Sequence, residues 1–287
     1  MQTVSTLDPL RSAIAPLRER GRVALVPTMG ALHEGHLTLV REARRQVGPQ
    51  GAVVVSIFVN PLQFGANEDL DAYPKVLARD CALLEAEGVD LVWAPTVEAM
   101  YPQGFATNIS VAGVSEGLCG ASRPGHFDGV ATVVCKLFNQ VGPDLAFFGE
   151  KDWQQLAVIR RMATDLDLAR PAATQIYGVP TVREADGLAM SSRNAYLSET
   201  ERQQAVGLSQ AMKRAIAAIE TGEPVDATLK SLEGSLLSGG FHQIDYALLC
   251  DAASLEVLDQ TIPAPMRLLV AARIGKARLI DNMAVAS

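Results

Sequence analysis

VALVPTMGALHEGH, residues 23–36, runs from an apolar segment into a turn that carries two glycines and two histidines. The length and β-branching of Val23–Val26 indicate a buried strand. Four apolar residues then follow at helical spacing: Leu37, Leu39, Val40 and Ala43. The segment therefore predicts a strand, a tight loop and the start of a helix. Because the free N–H groups and the dipole of a helix N-terminus attract anions, histidines at this place predict a positively lined site for a polyanion.

Apolar runs and helical patterns alternate through the next part of the chain. Strand-like runs occupy residues 52–59, 89–93 and 144–148, and they are as continuous as strands that are covered on both faces. Helical patterns begin after Asp8-Pro9 and at Asp152, and two others occupy residues 76–87 and 130–141. An acidic polar segment, residues 67–71, precedes the pattern at 76–87. Strands that alternate with helices predict a mostly parallel α/β sheet. We expect a Rossmann-like domain over residues 1–183.

The pattern changes after residue 183. Ser198 and Glu201 form a capping box ahead of a helix that extends to Gly222, and a second helix is predicted from Val225 to Leu237. Strand-like runs at 243–250 and 266–272 complete this part of the chain. These elements predict a smaller α+β domain over residues 184–287.

Composition excludes several classes of protein. Hydrophobic residues make up 48% and charged residues 20% of the chain, as in soluble globular proteins, and no apolar run reaches the length of a membrane span. The net charge of -7 argues against nucleic acid or an acidic membrane as a partner. The N-terminus lacks the apolar core of a signal peptide, so we expect a cytoplasmic protein. The four cysteines form no Cys-x-x-Cys pair and are expected to be reduced core residues.

Three of the predicted strands end in polar loops that contain glycine or proline. These loops are residues 27–36, 60–64 and 149–152. In a parallel sheet, ligands bind beyond the carboxyl ends of the strands. The sequence therefore predicts one pocket assembled from three segments that are far apart in the chain.

Three interpretations of His33 and His36 are open: structural histidines, metal ligands or phosphate ligands. The sequence His-Glu-Gly-His is one residue shorter than the His-Glu-x-x-His zinc motif, and no third ligand is evident. The glycines and lysine also have the wrong spacing for a P-loop or a dinucleotide fingerprint. Phosphate contact is the interpretation that we favour.

Other candidate residues have a plain structural alternative. Lys151 precedes a helix N-terminus, where a cation is disfavoured by about 0.3–1 kcal/mol unless an anion is near. Asp152 could simply cap that helix. Gln63 and Gln155 could be loop and helix residues, or could bind hydroxyl and carboxylate groups of a substrate through their amides.

Two further polar runs are candidates for the site. Met190-Ser191-Ser192-Arg193 could clamp a triphosphate or could be an ordinary turn. The run from Arg123 to Asp128 could line the site, order a loop or form an interface.

The motifs together resemble a known family. Residues 27–36 are similar to the His-x-Gly-His signature of the nucleotidyltransferase superfamily, and residues 190–193 look like a shortened form of its second signature. With residues 57–64, 123–127 and 148–155, they resemble the pantothenate synthetase family, without a departure at a motif position. The final ninety or so residues resemble that family mainly in layout.

The resemblance implies ATP-dependent condensation of pantoate with β-alanine to give pantothenate, AMP and pyrophosphate through a pantoyl-adenylate. It implies that these residues surround ATP: Met29, Gly30, Ala31, Leu32, His33, Glu34, Gly35, His36, Gly149, Glu150, Lys151, Asp152, Val182, Met190, Ser191, Ser192 and Arg193. Gln63 and Gln155 would hold pantoate, with Gln63 and Asn60 near β-alanine. Mg²⁺ is implied as cofactor with Asp80 as a contact, and a homodimer whose C-terminal domain covers the ATP site is expected.

His36 is the proton donor that the family resemblance assigns. Attack by a carboxylate needs no base, however, and the harder task is to stabilise charge on the α-phosphate and on the leaving pyrophosphate. We therefore expect His33, His36, Lys151 and Arg193 to share that task as the catalytic residues. The alternatives are another adenylyltransferase of the superfamily, acting on a nucleotide or on tRNA, and a nucleotide-sensing module without activity.

Overall fold

Six parallel strands form the larger of two sheets in the computed structural model, which describes residues 1–65 and 76–286. In chain order the strands are β1 (Gln2–Val4), β2 (Val23–Thr28), β3 (Ala52–Ile57), β4 (Leu91–Trp93), β5 (Leu145–Gly149) and β6 (Ile176–Val179). Their order across the sheet is β1-β4-β3-β2-β5-β6. The chain therefore leaves β2 toward one edge and later returns to build the other, so the order reverses between β2 and β5. Ligands bind at this reversal in open α/β sheets.

Helices cover both faces of the larger sheet. They are α1 (Leu7–Arg20), α2 (Glu34–Val47), α3 (Leu77–Ala86), α4 (Val97–Met100), α5 (Cys119–Ser122), α6 (His126–Val141) and α7 (Trp153–Asp165). Successive side chains of β2 alternate between the faces. Val23 and Leu25 pack in the core that contains residues of α1, α6 and α7, whereas Ala24 and Val26 pack in the core that contains residues of α2 and α3. Burial on both faces explains why β2 is continuously apolar.

Residues after β6 build the smaller unit. Helices α8 (Glu199–Glu220) and α9 (Val225–Ser238) pack against an antiparallel sheet of β7 (Gln243–Asp251), β8 (Met266–Ile274) and β9 (Ala277–Val285). The predicted capping box is confirmed, because Ser198 Oγ accepts from Glu201 N at 3.3 Å and Glu201 Oε2 accepts from Ser198 N at 2.8 Å. No helix in the described part of the chain is long and apolar enough to cross a membrane.

The expected α/β fold class is confirmed, with three strands that the sequence did not predict: β1, β6 and β9. Strands β1 and β6 have three and four residues, which is too short for a clear pattern. Helix α6 begins at His126 rather than at residue 130. The cysteines are free, and three of them are buried, whereas Cys81 is half-buried and packs against the edge of the core. The acidic segment 67–71 lies outside the described residues.

Candidate active site

The loop after β2, which we call the histidine loop (residues 29–36), is braced by a buried carboxylate. Asp80 Oδ2 accepts from Ala31 N at 2.8 Å, and its Oδ1 accepts from Leu32 N at 2.9 Å. Gly30 and Ala31 both have positive φ, +85° and 52°, so the backbone turns sharply here. Asp80, 1% exposed, therefore fixes the loop from beneath through hydrogen bonds to two successive N–H groups.

His33 and His36 cap the helix that follows the loop. His33 Nδ1 accepts from Gly35 N at 3.2 Å, and His36 Nδ1 accepts from His33 N at 3.3 Å. The two groups form a capping box at the start of α2, with ring centroids 4.1 Å apart. Since each Nδ1 accepts a backbone N–H, the remaining proton of a neutral ring lies on Nε2. Both histidines are thus held as neutral rings with Nε2–H free to donate.

The pKa values of the histidines agree with this assignment. Withdrawal of the ring from water, followed by the effect of His33, lowers the pKa of His36 to about 3. Withdrawal from water and then the nearby Lys151 also lower the pKa of His33. The sequence predicted a positive lining, whereas withdrawal from water shifts both rings toward the neutral form, which residue spacing does not reveal. Both rings offer a hydrogen-bond donor without a formal charge.

The loop after β3 is tied to the histidine loop by amides. Asn60 caps the 3₁₀ turn Pro61–Gln63, accepts from Tyr101 Oη at 2.8 Å, and donates to Gly129 O at 3.0 Å. Asn60 also donates to Gln63 Oε1 at 3.1 Å, and Gln63 Nε2 lies 3.0 Å from Met29 Sδ. Gln63 therefore faces the histidine loop, whereas buried Asn60 uses its amide to order the turn that carries Gln63.

Arg123 and His126 hold the same turn from the other side. Arg123 Nη2 donates to Gln63 O at 3.2 Å, and His126 Nδ1 lies 2.8 Å from that oxygen. Helix α6 also packs closely against this turn at Gly129, one helical turn after His126. A Cβ atom at residue 129 would come within 2.2 Å of Leu62 O. Arg123 and His126 also line the cleft described below, so this run both orders a loop and lines the site.

The loop after β5, which we call the lysine loop (residues 149–152), leads through a 3₁₀ turn into α7. Lys151 is 19% exposed, and its Nζ lies 3.9 Å from Asp152 Oδ1. Asp152 stands at the N-cap position of α7, as its structural interpretation expects, but its side chain makes no capping hydrogen bond. Both side chains face the cleft, together with Gln155 from the first turn of α7.

The segment after β6 folds back on itself before the second signature. A bridge pairs Arg183 with Ala189, Met190 N donates to Val182 O at 3.0 Å, and Gly187 turns with a φ of +94°. Ser191 Oγ then accepts from Arg193 N at 3.2 Å. This hairpin delivers residues 190–193 to the cleft.

Two connected cavities lie where these segments meet. Most of the predicted ATP residues line a cavity of ≈ 230 Å³, and residues of both the larger and the smaller unit line a cleft of ≈ 790 Å³. Nine residues line both: Gln63, Phe64, Arg123, His126, Lys151, Asp152, Gln155, Ser191 and Arg193. The cleft thus holds cationic, amide and hydroxyl groups from segments that are far apart in sequence, beside the two neutral imidazoles.

The sequence profile of the family described as pantoate-beta-alanine ligase matches residues 2–284. The chain belongs to the pantoate-beta-alanine ligase family. It is 68% identical over 286 residues to a pantothenate synthetase of Novosphingobium aromaticivorans, covering 99% of both chains. It is 57% identical over 286 residues to a pantothenate synthetase of Sphingopyxis alaskensis, covering 99% of this chain and 100% of the relative.

Solved structures of the family have the same fold. The pantothenate synthetase of Thermus thermophilus superposes with a TM-score of 0.90 at 49% identity, with 99% of both chains covered. The Francisella tularensis pantoate-beta-alanine ligase, described as complexed with beta-gamma ATP and beta-alanine, superposes with a TM-score of 0.81 at 32% identity. The superposition covers 99% of this chain and 97% of the Francisella chain. As a pantoate-beta-alanine ligase, the chain is an ATP-dependent enzyme that condenses pantoate with β-alanine. This confirms the ligase prediction over the other adenylyltransferases and the inactive sensor.

Within this ligase the predicted ATP residues divide into two groups. Those that line the smaller cavity are Met29, His33, Gly35, His36, Gly149, Lys151, Asp152, Val182, Met190, Ser191, Ser192 and Arg193. Those that line neither cavity are Gly30, Ala31, Leu32, Glu34 and Glu150. Leu32 is a core residue, Glu34 pairs with Arg41 on the surface, and Glu150 pairs with Arg267 at 3.5 Å. The structure therefore does not bring the second group to the lining of either cavity.

Asp80, the predicted metal contact, also lines neither cavity. Both of its oxygens accept backbone N–H groups of the histidine loop. Over residues 1–65 and 76–286, no group of three or more His, Cys, Asp or Glu side chains could hold a metal ion. Metal contact by Asp80 stays a prediction, and the contacts that the structure shows are those of a loop brace.

Sequence reasoning missed the cleft residues of the smaller unit. Tyr246, Arg273, Lys276, Arg278, Asp281 and Asn282 line the cleft from β7, the end of β8, β9 and the turn between β8 and β9. Strand β9 was not predicted because its sequence, ARLIDNMAV, places two polar residues in its middle. These two polar residues, Asp281 and Asn282, were the available signal, since buried polar residues inside a strand need a partner.

Proposed function

We propose that the cleft first forms a pantoyl-adenylate and then transfers the pantoyl group to β-alanine. In the first step a carboxylate oxygen of pantoate bonds to the α-phosphorus of ATP, and the bond from that phosphorus to the bridging oxygen breaks to release pyrophosphate. In the second step the β-alanine amine attacks the acyl carbon, AMP leaves, and the amine nitrogen loses a proton. The observation that carries the proposal is the meeting of the histidine and lysine loops at the ends of adjacent strands β2 and β5.

Charge stabilisation is shared between two kinds of group. Lys151 and Arg193 supply positive charge toward the triphosphate. His33 and His36 supply Nε2–H donors that are already oriented by the capping box, so little reorganisation accompanies charge development on the phosphates. The low pKa of His36 leaves a neutral ring at physiological pH, so we assign hydrogen-bond donation rather than proton donation to it.

Gln63 and Gln155 are proposed as the pantoate ligands. Both line the smaller cavity and the cleft, and each amide can donate to a carboxylate and accept from a hydroxyl. Asn60 supports Gln63 indirectly, because its amide orders the turn that carries Gln63. Its predicted contact with β-alanine would need a change in these bonds.

Mg²⁺ is proposed as the cofactor of the triphosphate. Magnesium keeps several waters and is commonly bound by substrate phosphates with one or two carboxylates. Asp152 fits that role, because its side chain is 45% exposed, lines both cavities and makes no capping hydrogen bond to α7. When bound, the ion would offset negative charge on the polyphosphate.

The proposal includes a cytoplasmic homodimer in which residues 184–287 act as a lid over residues 1–183. Contacts across the cleft support the lid, including Trp153 Nε1 to Ala252 O at 2.9 Å. Light scattering after size-exclusion chromatography would test the dimer, and cell fractionation the compartment.

The decisive experiment is pantoate-dependent exchange of labelled pyrophosphate into ATP, without β-alanine. Exchange is expected only with pantoate and Mg²⁺ present, and AMP should accumulate only when β-alanine is added. Absence of exchange by an enzyme that still forms pantothenate would exclude the adenylate intermediate.

A further inference from the structure

An asparagine of the smaller unit lies directly under the lysine loop. Asn282 of β9 is 4% exposed, and its Nδ2 donates to Glu150 O at 2.9 Å and to Lys151 O at 2.8 Å. Its Oδ1 accepts from Arg267. Both protons and the oxygen of the amide are therefore used, and the two protons hold consecutive carbonyls of the loop that carries Lys151.

The neighbouring residue reaches a different segment of the site. Asp281 Oδ2 accepts from Arg183 Nη1 at 2.6 Å, and its Oδ1 accepts from Arg183 Nη2 at 2.9 Å. Arg183 Nη1 also donates to Gly187 O at 3.2 Å, inside the hairpin that precedes residues 190–193. Since successive side chains of a strand point to opposite faces, one edge strand can hold both segments at once.

Arg267 and Trp153 extend this connection to helix α7. The Arg267 guanidinium carbon lies 3.5 Å from the centroid of the Trp153 ring, and Trp153 is the first residue of α7. The backbone from the lysine loop to the first turn of α7 is therefore held by side chains and a carbonyl of the smaller unit.

We propose that Asn282 and Asp281 are positioning residues of the ligase reaction: Asn282 fixes the backbone that aims Lys151, and Asp281 fixes the hairpin that delivers Ser191 to Arg193. The inference rests on the proposed role of Lys151. It makes the alignment of both ATP segments depend on the placement of β9, so that the smaller unit sets the geometry of the site as well as covering it.

The central experiment is a double-mutant cycle measured by pantoate-dependent pyrophosphate exchange. Asn282→Ala is expected to lower the exchange rate by about ten- to a hundredfold, because small misplacements of a reacting group can cost about 10²-fold. In the Lys151→Ala background the same change is expected to cost less than about threefold, because residues that act through one another are not additive. Full additivity would show that Asn282 acts independently of Lys151 and would overturn the proposal.

Two further variants separate hydrogen bonding from packing. Asn282→Asp keeps the size of the side chain and the acceptor for Arg267 but turns an oxygen toward the two loop carbonyls, so its rate should fall as far as that of Asn282→Ala. Leu232→Ala opens a cavity in the core of the smaller unit, away from the cleft, and should leave the rate of folded enzyme within about twofold. Full activity of Asn282→Asp, or equal loss in Leu232→Ala, would overturn the proposal.

Asp281→Asn tests the second contact. Loss of the charge pair with Arg183 should loosen the hairpin and raise KM for ATP by about fivefold, as expected for a difference of about 1 kcal/mol in a charge-assisted bond. An unchanged KM for ATP would overturn the role of Asp281. If Lys151→Ala leaves the exchange rate unchanged, the proposed role of Lys151 fails together with this inference. If Lys151→Ala lowers the rate strongly but Asn282→Ala leaves it unchanged, only the inference is refuted.

Discussion

The histidine loop and the lysine loop form two walls of the same cavity but are stabilised in different ways. The histidine loop is held within the larger unit by Asp80 and by its own capping box. The lysine loop takes hydrogen bonds from Asn282 in the smaller unit. The first wall presents neutral donors whose geometry is set locally, and the second presents a formal charge whose placement depends on a separate unit. Orientation and charge are therefore supplied by different parts of the protein.

The largest expected effect tests the charge of the lysine loop. Lys151→Ala should lower the rate of pyrophosphate exchange by about 10²–10³-fold, the typical cost of removing a group that stabilises transition-state charge. Lys230→Ala, on the surface of α9, is the matched control and should have no effect. Circular dichroism should show both variants folded. A loss of less than about tenfold at Lys151 would contradict its catalytic role.

The next test asks whether the histidine loop works through a neutral donor. Gln is a natural capping-box residue at the position of His36, so His36→Gln can accept from His33 N and still donate an N–H to phosphate. Its exchange rate should stay within about tenfold of the parent, whereas His36→Glu, which caps equally well but adds negative charge, should lose about 10²-fold or more. Equal rates in the two variants would show that only the cap matters.

Asp80→Asn distinguishes a loop brace from a metal ligand. An asparagine has one acceptor oxygen, so one N–H of the histidine loop would face an NH₂ group, and the free energy of unfolding should fall by about 1–3 kcal/mol. Urea denaturation measures this, with Asp8→Asn on the surface as control. The Mg²⁺ concentration for half-maximal rate should not change. A large shift in that concentration at unchanged stability would instead support the metal contact.

The remaining expected effect concerns pH and stability. Below pH 6.5, the ordinary pKa of histidine, the unfolded chain binds a proton at residue 36, while the folded ring stays neutral down to about 3. The free energy of unfolding should therefore fall as the pH is lowered through this range, by at most about 1.4 kcal/mol per pH unit for this group. His36→Gln should flatten the dependence relative to the parent protein. Identical slopes would contradict the neutral folded form.

The sequence predicted those parts of the molecule that depend on local pattern. The α/β class, the strand–loop–helix at residues 23–47 and the convergence of three strand ends followed from periodicity and from the rule for parallel sheets. Ligand roles for individual residues came from the family resemblance and stay predictions. A lysine just before a helix N-terminus predicted a nearby anion, and Lys151 does line the cavity in which the triphosphate is proposed to bind.

The features that were missed depend on tertiary contacts. The charge state of His36 is set by burial and by the second histidine, neither of which can be measured from spacing. Asp80 lies 48 residues from Leu32 in sequence, so its hydrogen bond to that N–H has no local signal. The role of Asn282 likewise requires β9 to lie against the lysine loop, which the sequence pattern of a mixed polar strand did not reveal.

The pairing of β2 with β5 has a consequence for how this enzyme can vary. Ala24 pairs with Leu145 and Leu25 with Ala146, so the histidine and lysine loops leave strands that are one interstrand spacing apart, about 4.8 Å. That separation is fixed by backbone hydrogen bonds and does not depend on the length of chain between the strands. Insertions or deletions at the exposed residues 102–104, between α4 and α5, can therefore accumulate without moving the two loops relative to each other. Chain length is free to drift there while the chemistry is conserved.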